Sequence, residues 1–315
     1  MHDNMAAIRT YHHRDFPIAE LCQKKARTGE TISVVIPTLD EQSTIGAIVR
    51  IVREELMERY PLVDELIVVD SGSTDQTVVE AQSAGAVVYQ ASAICPEHGH
   101  YRGKGENLWK SQWVASGSVT VFVDGDIMNF HPGYISGLVG PLLDDPALQY
   151  VKAFYQRPLC TEFGDLEHEG GRVSELLIKP FFSLFYPELR ALHQPLAGEY
   201  AVRRRLLAQL PFPTGYAVEL AHLIDVLALH GPDVFAQCDL DSRRHRNRPL
   251  GELSEMASAL LPTLLRRAER DGKLQLSGHW HEFGQKEISI SHGSDDFISE
   301  RRAIAELQLN PTTGS

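Results

Sequence analysis

Over the first 150 residues the apolar positions fall into two alternating patterns. Compact, mainly apolar runs at 32–36, 66–69, 86–91 and 119–124 have the length and β-branched character of buried strands. Between them the apolar positions are spaced out. In IGAIVRIVREELMERY they fall at 45, 48, 49, 51, 52 and 56, close to one face of a helix. SGSTDQTVVEAQSAG and GENLWKSQWVAS read as further turn-and-helix units. The result is β-α-β-α-β-α-β with strands apolar throughout. This predicts an α/β fold whose parallel sheet is covered by helices on both faces. Ligands of such sheets bind beyond the carboxyl ends of the strands, near the topological switch point. Three polar turns, Pro37 to Glu41, Asp70 to Asp75 and Asp124 to Asp126, are expected at that edge.

Beyond residue 150 the alternation fades. YVKAFYQRPL reads as a strand, and GRVSELLIKPFFSLF and GYAVELAHLIDVLALHG read as helices. DVFAQCDLDSRRHRNRPL reads as a strand running into a basic loop. LSEMASALLPTLLRRAERDG reads as a late helix interrupted at Pro262, and the ending LQLNPTTGS as frayed.

Composition narrows the partners more than the fold. The 315 residues are 43% hydrophobic and 23% charged, with a formal net charge of −12. An acidic chain lacks the basic face that nucleic acid requires, so none is expected as a partner. A small anionic substrate needs only a local cluster of Arg and Lys. No apolar run approaches the roughly 18 residues of a membrane span. The opening MHDNMAAIRTYHHRDF has no apolar core for a signal peptide. Cys22, Cys95, Cys160 and Cys238 are far apart and show no CxxC spacing, which fits reduced thiols in the cytoplasm.

The candidate chemistry sits in the polar segments, each with a bland alternative. Asp124-Gly125-Asp126 can be a strand-ending turn, or a pair of hard oxygen ligands for Mg²⁺ or Mn²⁺ with a glycine that lets a ligand approach. Its place after the fourth strand favours the metal. SGSTDQT can cap a helix, present that helix start to an anion, or do both. In YRGKGENLW, Lys104 stands between two glycines and is either a solvated loop lysine or a cation for a phosphate; the GxxxxGK[ST] spacing of a P-loop is absent. EGGRVSE offers Arg172, Ser174 and a helix start to a carboxylate or phosphate, against a plain cap with a surface arginine. SRRHRNRP packs four arginines and His245 into six residues, either a solvated basic loop or a ligand set for metal and diphosphate. His12, His13, His98 and His100 read as surface residues rather than ligands.

Taken together, VVIPTLDEQSTIG, ELIVVDSGSTDQT and the later Asp-x-Asp resemble the GT-A nucleotide-sugar glycosyltransferases. GKGENLW, VKAFYQRPL, GGRVSEL, QPLAGEYA, GYAVEL and HRNRPL narrow the resemblance to the retaining glucosyl-3-phosphoglycerate synthase family, which is grouped with mannosyl-3-phosphoglycerate synthases. The resemblance spans roughly residues 30–250. It implies a Rossmann-like, mostly parallel sheet with an α+β acceptor-binding half. The expected division is an N-terminal extension over 1–30, a nucleotide-sugar half over 31–150, an acceptor half over 151–250 and a C-terminal helical segment over 251–315.

The same resemblance implies a site. Pro37, Thr38, Leu39, Glu41 and Ser71 would hold the nucleoside, with Lys104 near the phosphates and Asp124 and Gly125 beside them. Leu196, Gly198, Tyr216 and Glu219 would face the sugar. Asp126 and His245 would bind the divalent ion, and Gly171, Arg172, Val173, Ser174 and Asn247 would seat 3-phosphoglycerate. Many relatives have Ser between the two aspartates and Thr where Ser174 stands; both changes preserve the site's chemistry. The expected reaction is transfer of glucose from an NDP-glucose, UDP-glucose first among them, to the 2-hydroxyl of 3-phosphoglycerate, with Asp126, Glu219 and Arg172 as its catalytic residues. Glu219 is the one evident nucleophile, yet it reads better as a ligand of sugar hydroxyls in a same-face substitution. Relatives also imply a homodimer. A GDP-mannose enzyme, another GT-A transferase, a nucleotidyltransferase and a non-catalytic sugar-nucleotide binder are the competing readings.

Overall fold

The computed structural model describes residues 8–157, 159–161, 164–166, 171–244, 250–276 and 300–309. In chain order its elements are β1 (Arg9–His12), α1 (Ile18–Thr28), β2 (Ile32–Thr38), α2 (Ile45–Ile51), β3 (Glu65–Asp70), α3 (Thr77–Ala84), β4 (Val87–Gln90), α4 (Lys104–Ser111) and β5 (Val119–Phe122). There follow α5 (Gly133–Asp144), β6 (Tyr150–Gln156), the short pair β7 (Leu159–Thr161) and β8 (Gly164–Leu166), α6 (Lys179–Phe185), β9 (Tyr200–Arg203), α7 (Arg204–Leu207) and β10 (Phe212–Pro213). The chain ends with α8 (Val218–His230), β11 (Phe235–Ser242), α9 (Leu250–Arg270), β12 (Glu300–Arg301) and α10 (Ile304–Leu309).

Eight strands form one sheet in the order β1-β11-β6-β9-β5-β2-β3-β4. Only β9 runs against its neighbours, β5 and β6; every other pair is parallel. The apolar runs are unbroken because both faces are buried. Val34 and Ile36 join one core with α1, α2, α3 and α5, while Val35 points to the other with α4, α6, α8 and α9. Within the segment 1–30, Arg9 to His12 pair with Ala236 to Asp239 at the sheet edge, and α1 adds Leu21 to the core beneath it.

Three details differ from the periodicity. Helix α2 passes into a π-helical stretch over Val52–Arg59, so one continuous 3.6-residue period does not describe it. The last strand of the first half stops at Phe122, which leaves Asp124 beyond the ladder. Helix α9 continues through Pro262, and α5 likewise contains Pro141. The tail is tied back, as Glu300 and Arg301 pair antiparallel with Pro213 and Phe212.

Candidate active site

Parallel strands deliver their polar ends to one edge, and hydrogen bonds knit those ends together. Asp70 closes β3: its carboxylate accepts from the Thr38 hydroxyl at 3.0 Å and from the backbone N–H groups of Gly72 and Ser73 at 2.9 and 2.8 Å. The turn after β2 is thereby fixed to the turn after β3. The Ser71 hydroxyl donates to Asn107 Oδ1 at 2.9 Å, and Asn107 Nδ2 donates to the Val69 carbonyl at 3.0 Å, which joins α4 to the same turn. The Glu41 N–H donates to Thr77 Oγ1 at 2.7 Å, and the Thr44 hydroxyl to the Gly125 carbonyl at 2.6 Å. Thr38, Glu41 and the Pro37 carbonyl all stand within 3.5 Å of where a Cβ on Gly125 would lie, and Leu39 beside them is exposed.

Lys104 is the first residue of α4, and its placement depends on a glycine. A Cβ at Gly105 would stand 1.8 Å from the Pro213 carbonyl oxygen, so α4 and the 213–215 segment approach only with glycine there. That approach brings α4 against the start of α8. The Lys104 ammonium bridges Asp124 Oδ1 and Glu219 Oε1, the latter at 2.6 Å. Burial works against the charge of Lys104, but Asp124 and Glu219 outweigh it and hold its pKa above the ordinary value. Burial likewise raises the Asp124 carboxyl, and Lys104 and Arg243 outweigh that and hold it well below the usual carboxylate range. Gly198 leaves room for this carboxylate, since a Cβ there would meet Asp124 Oδ2 at 2.2 Å.

Arg243 is the hub that sequence reading passed over. It lies in the basic run, but nothing in the pattern separates it from the other arginines of that run. Its guanidinium is 5% exposed and reaches Asp124 Oδ2 at 3.0 Å, Asp126 Oδ1, Glu199 Oε1 at 3.0 Å and the Tyr155 hydroxyl at 2.9 Å. Tyr155 donates in turn to Glu199 Oε2 at 2.7 Å. Glu199 and Tyr155 were also unforeseen, because each looks like core until the sheet is assembled. The end of β11 is sewn to the Asp126 turn: Met128 N–H donates to the Arg244 carbonyl at 3.3 Å, and Arg244 N–H to Asn129 Oδ1 at 2.8 Å. His245 and Asn247 lie outside the described residues.

This corner carries more negative than positive charge. Burial, followed by Asp126, Asp124 and Asp75, pushes Glu41 up to about 7 against the pull of Arg243. Asp126, four residues beyond β5, remains 38% exposed and offers a hard oxygen donor. Excess carboxylate and an accessible oxygen fit a small divalent cation.

The acceptor candidates sit on a different element. Gly171 has φ +77 and leads into the helical stretch where Val173 and Ser174 are buried and Arg172 is half-buried. Tyr216 is 53% exposed just before α8, on the same segment as Glu219, and Leu196 is half-buried two residues before Gly198.

His12, His13 and Asp241 place three possible ligand atoms within 4.8 Å of one another. Their hydrogen bonds oppose metal binding. His12 Nδ1 accepts from Arg14 N–H at 3.1 Å, so the ring proton is on Nε2, which donates to Asp241 Oδ1 at 3.0 Å. Arg14 also occupies Asp241 Oδ2 at 2.7 Å. The trio is a clasp between the chain start and β11. No helix among the described residues is long and apolar enough to cross a membrane.

Known proteins share this architecture. The model of glycosyl transferase family 2 matches residues 33–209. A glucosyl-3-phosphoglycerate synthase from Petrotoga mobilis is 50% identical over 312 residues, 99% of this chain and 95% of that one. The enzyme of that name from Mycobacterium tuberculosis is 45% identical over 261 residues, 82% of this chain and 79% of its own. A crystal structure of the mycobacterial enzyme with Mn²⁺, uridine-diphosphate and phosphoglyceric acid matches with a TM-score of 0.81 at 38% identity, covering 96% of this chain and 99% of that one. Its complex with Mn²⁺, uridine-diphosphate-glucose and phosphoglyceric acid matches at 0.81 and 39%, covering 95% and 99%. Sheet, strand-end carboxylates and these likenesses define a glycosyltransferase of the GT-A fold. Within that class, the chain belongs to the glucosyl-3-phosphoglycerate synthase family.

Proposed function

We propose that this enzyme transfers glucose from UDP-glucose to the 2-hydroxyl of 3-phosphoglycerate with retention at the anomeric carbon. The observation that carries the reading is the Lys104 bridge between Asp124 and Glu219, which sets a cation and two carboxylates where donor phosphates and sugar would meet. The mycobacterial relative's crystal complexes with UDP-glucose and with phosphoglyceric acid support the donor and the acceptor.

The chain's residues divide the work. Pro37, Thr38, Leu39, Glu41 and Ser71 take the nucleoside, and Lys104 neutralises phosphate charge. Asp126, with His245, would hold Mg²⁺ or Mn²⁺, which when bound neutralises charge on the leaving diphosphate. Glu219 is 6% exposed and already salt-bridged to Lys104. That pairing weakens it as a nucleophile and suits it to fixing sugar hydroxyls, while Leu196, Gly198 and Tyr216 bound the sugar from its other sides. Gly171, Arg172, Val173, Ser174 and Asn247 seat the acceptor's carboxylate and phosphate. The acceptor oxygen forms its bond to the anomeric carbon on the face from which the diphosphate oxygen departs, and its proton passes to the departing phosphate.

The enzyme works as a cytoplasmic homodimer in this reading. Unpaired Cys22, Cys95 and Cys238 support the compartment, and exposed Leu176 and Leu184 on one helical stretch support a subunit contact. The test is turnover with 3-phosphoglycerate and a panel of UDP- and GDP-sugars, with Mg²⁺, with Mn²⁺ and with EDTA. Metal-dependent transfer from UDP-glucose, with an α-anomeric NMR signal in the product, is the expected result. A preference for GDP-mannose, or a glycosyl-enzyme adduct in the mass spectrum, would refute the donor or the same-face step respectively.

A further inference from the structure

The way this chain treats its other buried lysines sets a standard. Lys110 is fully buried, and its ammonium donates to the carbonyls of Ile94, of Cys95 at 2.9 Å and of Gly99 at 2.9 Å, which uses all three protons. Lys25 donates to the Pro61 carbonyl at 3.0 Å and to Asp64 at 2.7 Å. Lys152 breaks the pattern. It lies on β6 in the middle of the sheet, 1% exposed, and its Nζ has no hydrogen-bond partner among the described residues. The face of the Tyr200 ring, 4.9 Å away, replaces only part of the lost hydration. Tyr150 and Tyr200, stacked at 5.1 Å, have hydroxyls with no partner among the described residues. For stability alone a methionine would serve better there.

The Tyr200 ring under Lys152 Nζ also meets His222 at 6.3 Å, and His222 lies one turn along α8 from Glu219. The charged groups that act on Lys152 are Glu219 from α8, Lys104 from α4, Glu199 ahead of β9 and Asp124 after β5. Burial pushes the Lys152 ammonium down to about 8, with Glu219 resisting and Lys104 adding to the push. Glu219 gives Oε1 to Lys104, and Lys104 is shared with Asp124. A nucleoside diphosphate arriving beside Lys104 would compete for that ammonium. Glu219 would then need a second cation to keep its place.

We propose that Lys152 is a positioning residue for the donor sugar: its buried, unpartnered ammonium holds the Glu219 carboxylate in place when Lys104 turns to the diphosphate. The inference rests on the donor reading given above and deepens it. Lys152 touches no substrate and acts through Glu219.

Lys152→Met keeps the volume and removes the charge. Its melting temperature is expected to equal or exceed that of the wild type, which a merely structural lysine would not permit. In titration calorimetry with Mn²⁺, its affinity for UDP should be unchanged, while its affinity for UDP-glucose and its kcat fall at least about tenfold. In a Glu219→Gln background the same substitution should change kcat by less than about twofold, because the carboxylate it serves is gone. Equal losses for UDP and UDP-glucose, a lowered melting temperature or an additive double variant would each overturn the assignment. Wild-type transfer from UDP-glucose with an unimpaired Lys152→Met variant would remove the role of Lys152 alone. A wild type that transfers nothing from UDP-glucose would remove the donor reading and this inference with it.

Discussion

Two charged clusters start from the first turn of α4, and they are built in opposite ways. Glu106 faces Arg301, whose Nε and Nη2 donate to its two oxygens at 2.8 and 2.7 Å, while Nη1 donates to the His98 carbonyl at 2.6 Å. The guanidinium lies between the rings of Tyr101 and Trp109, 4.4 and 4.6 Å from their centroids. Every nitrogen of that fork has an acceptor. Lys104, two residues earlier, enters a cluster in which the carboxylates of Asp124, Asp126, Glu199 and Glu219 meet Lys104, Lys152 and Arg243. There Lys152 Nζ and Arg243 Nε have no hydrogen-bond partner among the described residues. A closed network holds a fold, whereas an open one leaves bonding capacity for a ligand. On the proposed function, Glu106–Arg301 is scaffold and Lys104–Asp124–Glu219 is machinery.

The largest effect that could break this contrast is at Asp126. Asp126→Asn removes a charged oxygen from the open cluster but leaves Arg243 its contacts with Asp124 and Glu199. Transfer should fall about a thousandfold, the size of several kcal/mol of transition-state charge stabilisation. The melting temperature should hardly move, as the side chain is partly exposed. Steady-state kinetics and a thermal melt on one preparation decide it. A variant that unfolds early with intact turnover would make Asp126 scaffold.

The opposite pairing of effects is expected at Arg301. Arg301→Ala strands the fully buried Glu106 without its cation, a loss of about 3–5 kcal/mol. Activity per folded molecule should fall only about tenfold, through loosening of the Gly103–Gly105 approach that seats Lys104. Chemical denaturation and a burst-free assay at low temperature separate the two. Loss of activity without loss of stability would abolish the distinction between the clusters.

How much of this was legible follows from where each residue sits. Asp124, Asp126, Lys104 and the Asp70 turn stand at ends of apolar runs in the half where strand and helix alternate, so local pattern locates them. Glu219 opens a helix that the pattern also predicts, and its partner Lys104 is 115 positions away. Glu199, Tyr155 and Arg243 meet only because β9 inserts antiparallel between β5 and β6, a topology that four residues, YAVR, do not announce. For the same reason β1 went unread: RTYH has no apolar period, and its pairing with β11 is a long-range event. Lys152 appears in VKAFYQRPL as one polar residue in a strand, and the absence of a partner is visible only in the assembled core.

The smallest effect sharpens the contrast at Lys152 itself. In the folded chain burial pushes this ammonium down to about 8, from 10.5 in the unfolded chain. Between those values the unfolded chain still holds the proton that the folded chain has released. The unfolded state therefore binds more protons, and this group's contribution to stability rises with pH. Below pH 8 both states are protonated, and the folded state bears the full cost of an unpaired buried charge. Lys152→Met has no such proton. The variant should melt above the wild type by a few degrees at pH 7, and the gap should narrow as pH rises from 8 toward 10.5. Taking the difference between the two proteins cancels groups that titrate alike in both. A gap that stayed constant across this range would mean that the lysine carries no buried charge, and the open cluster would then hold one cation fewer than its geometry implies.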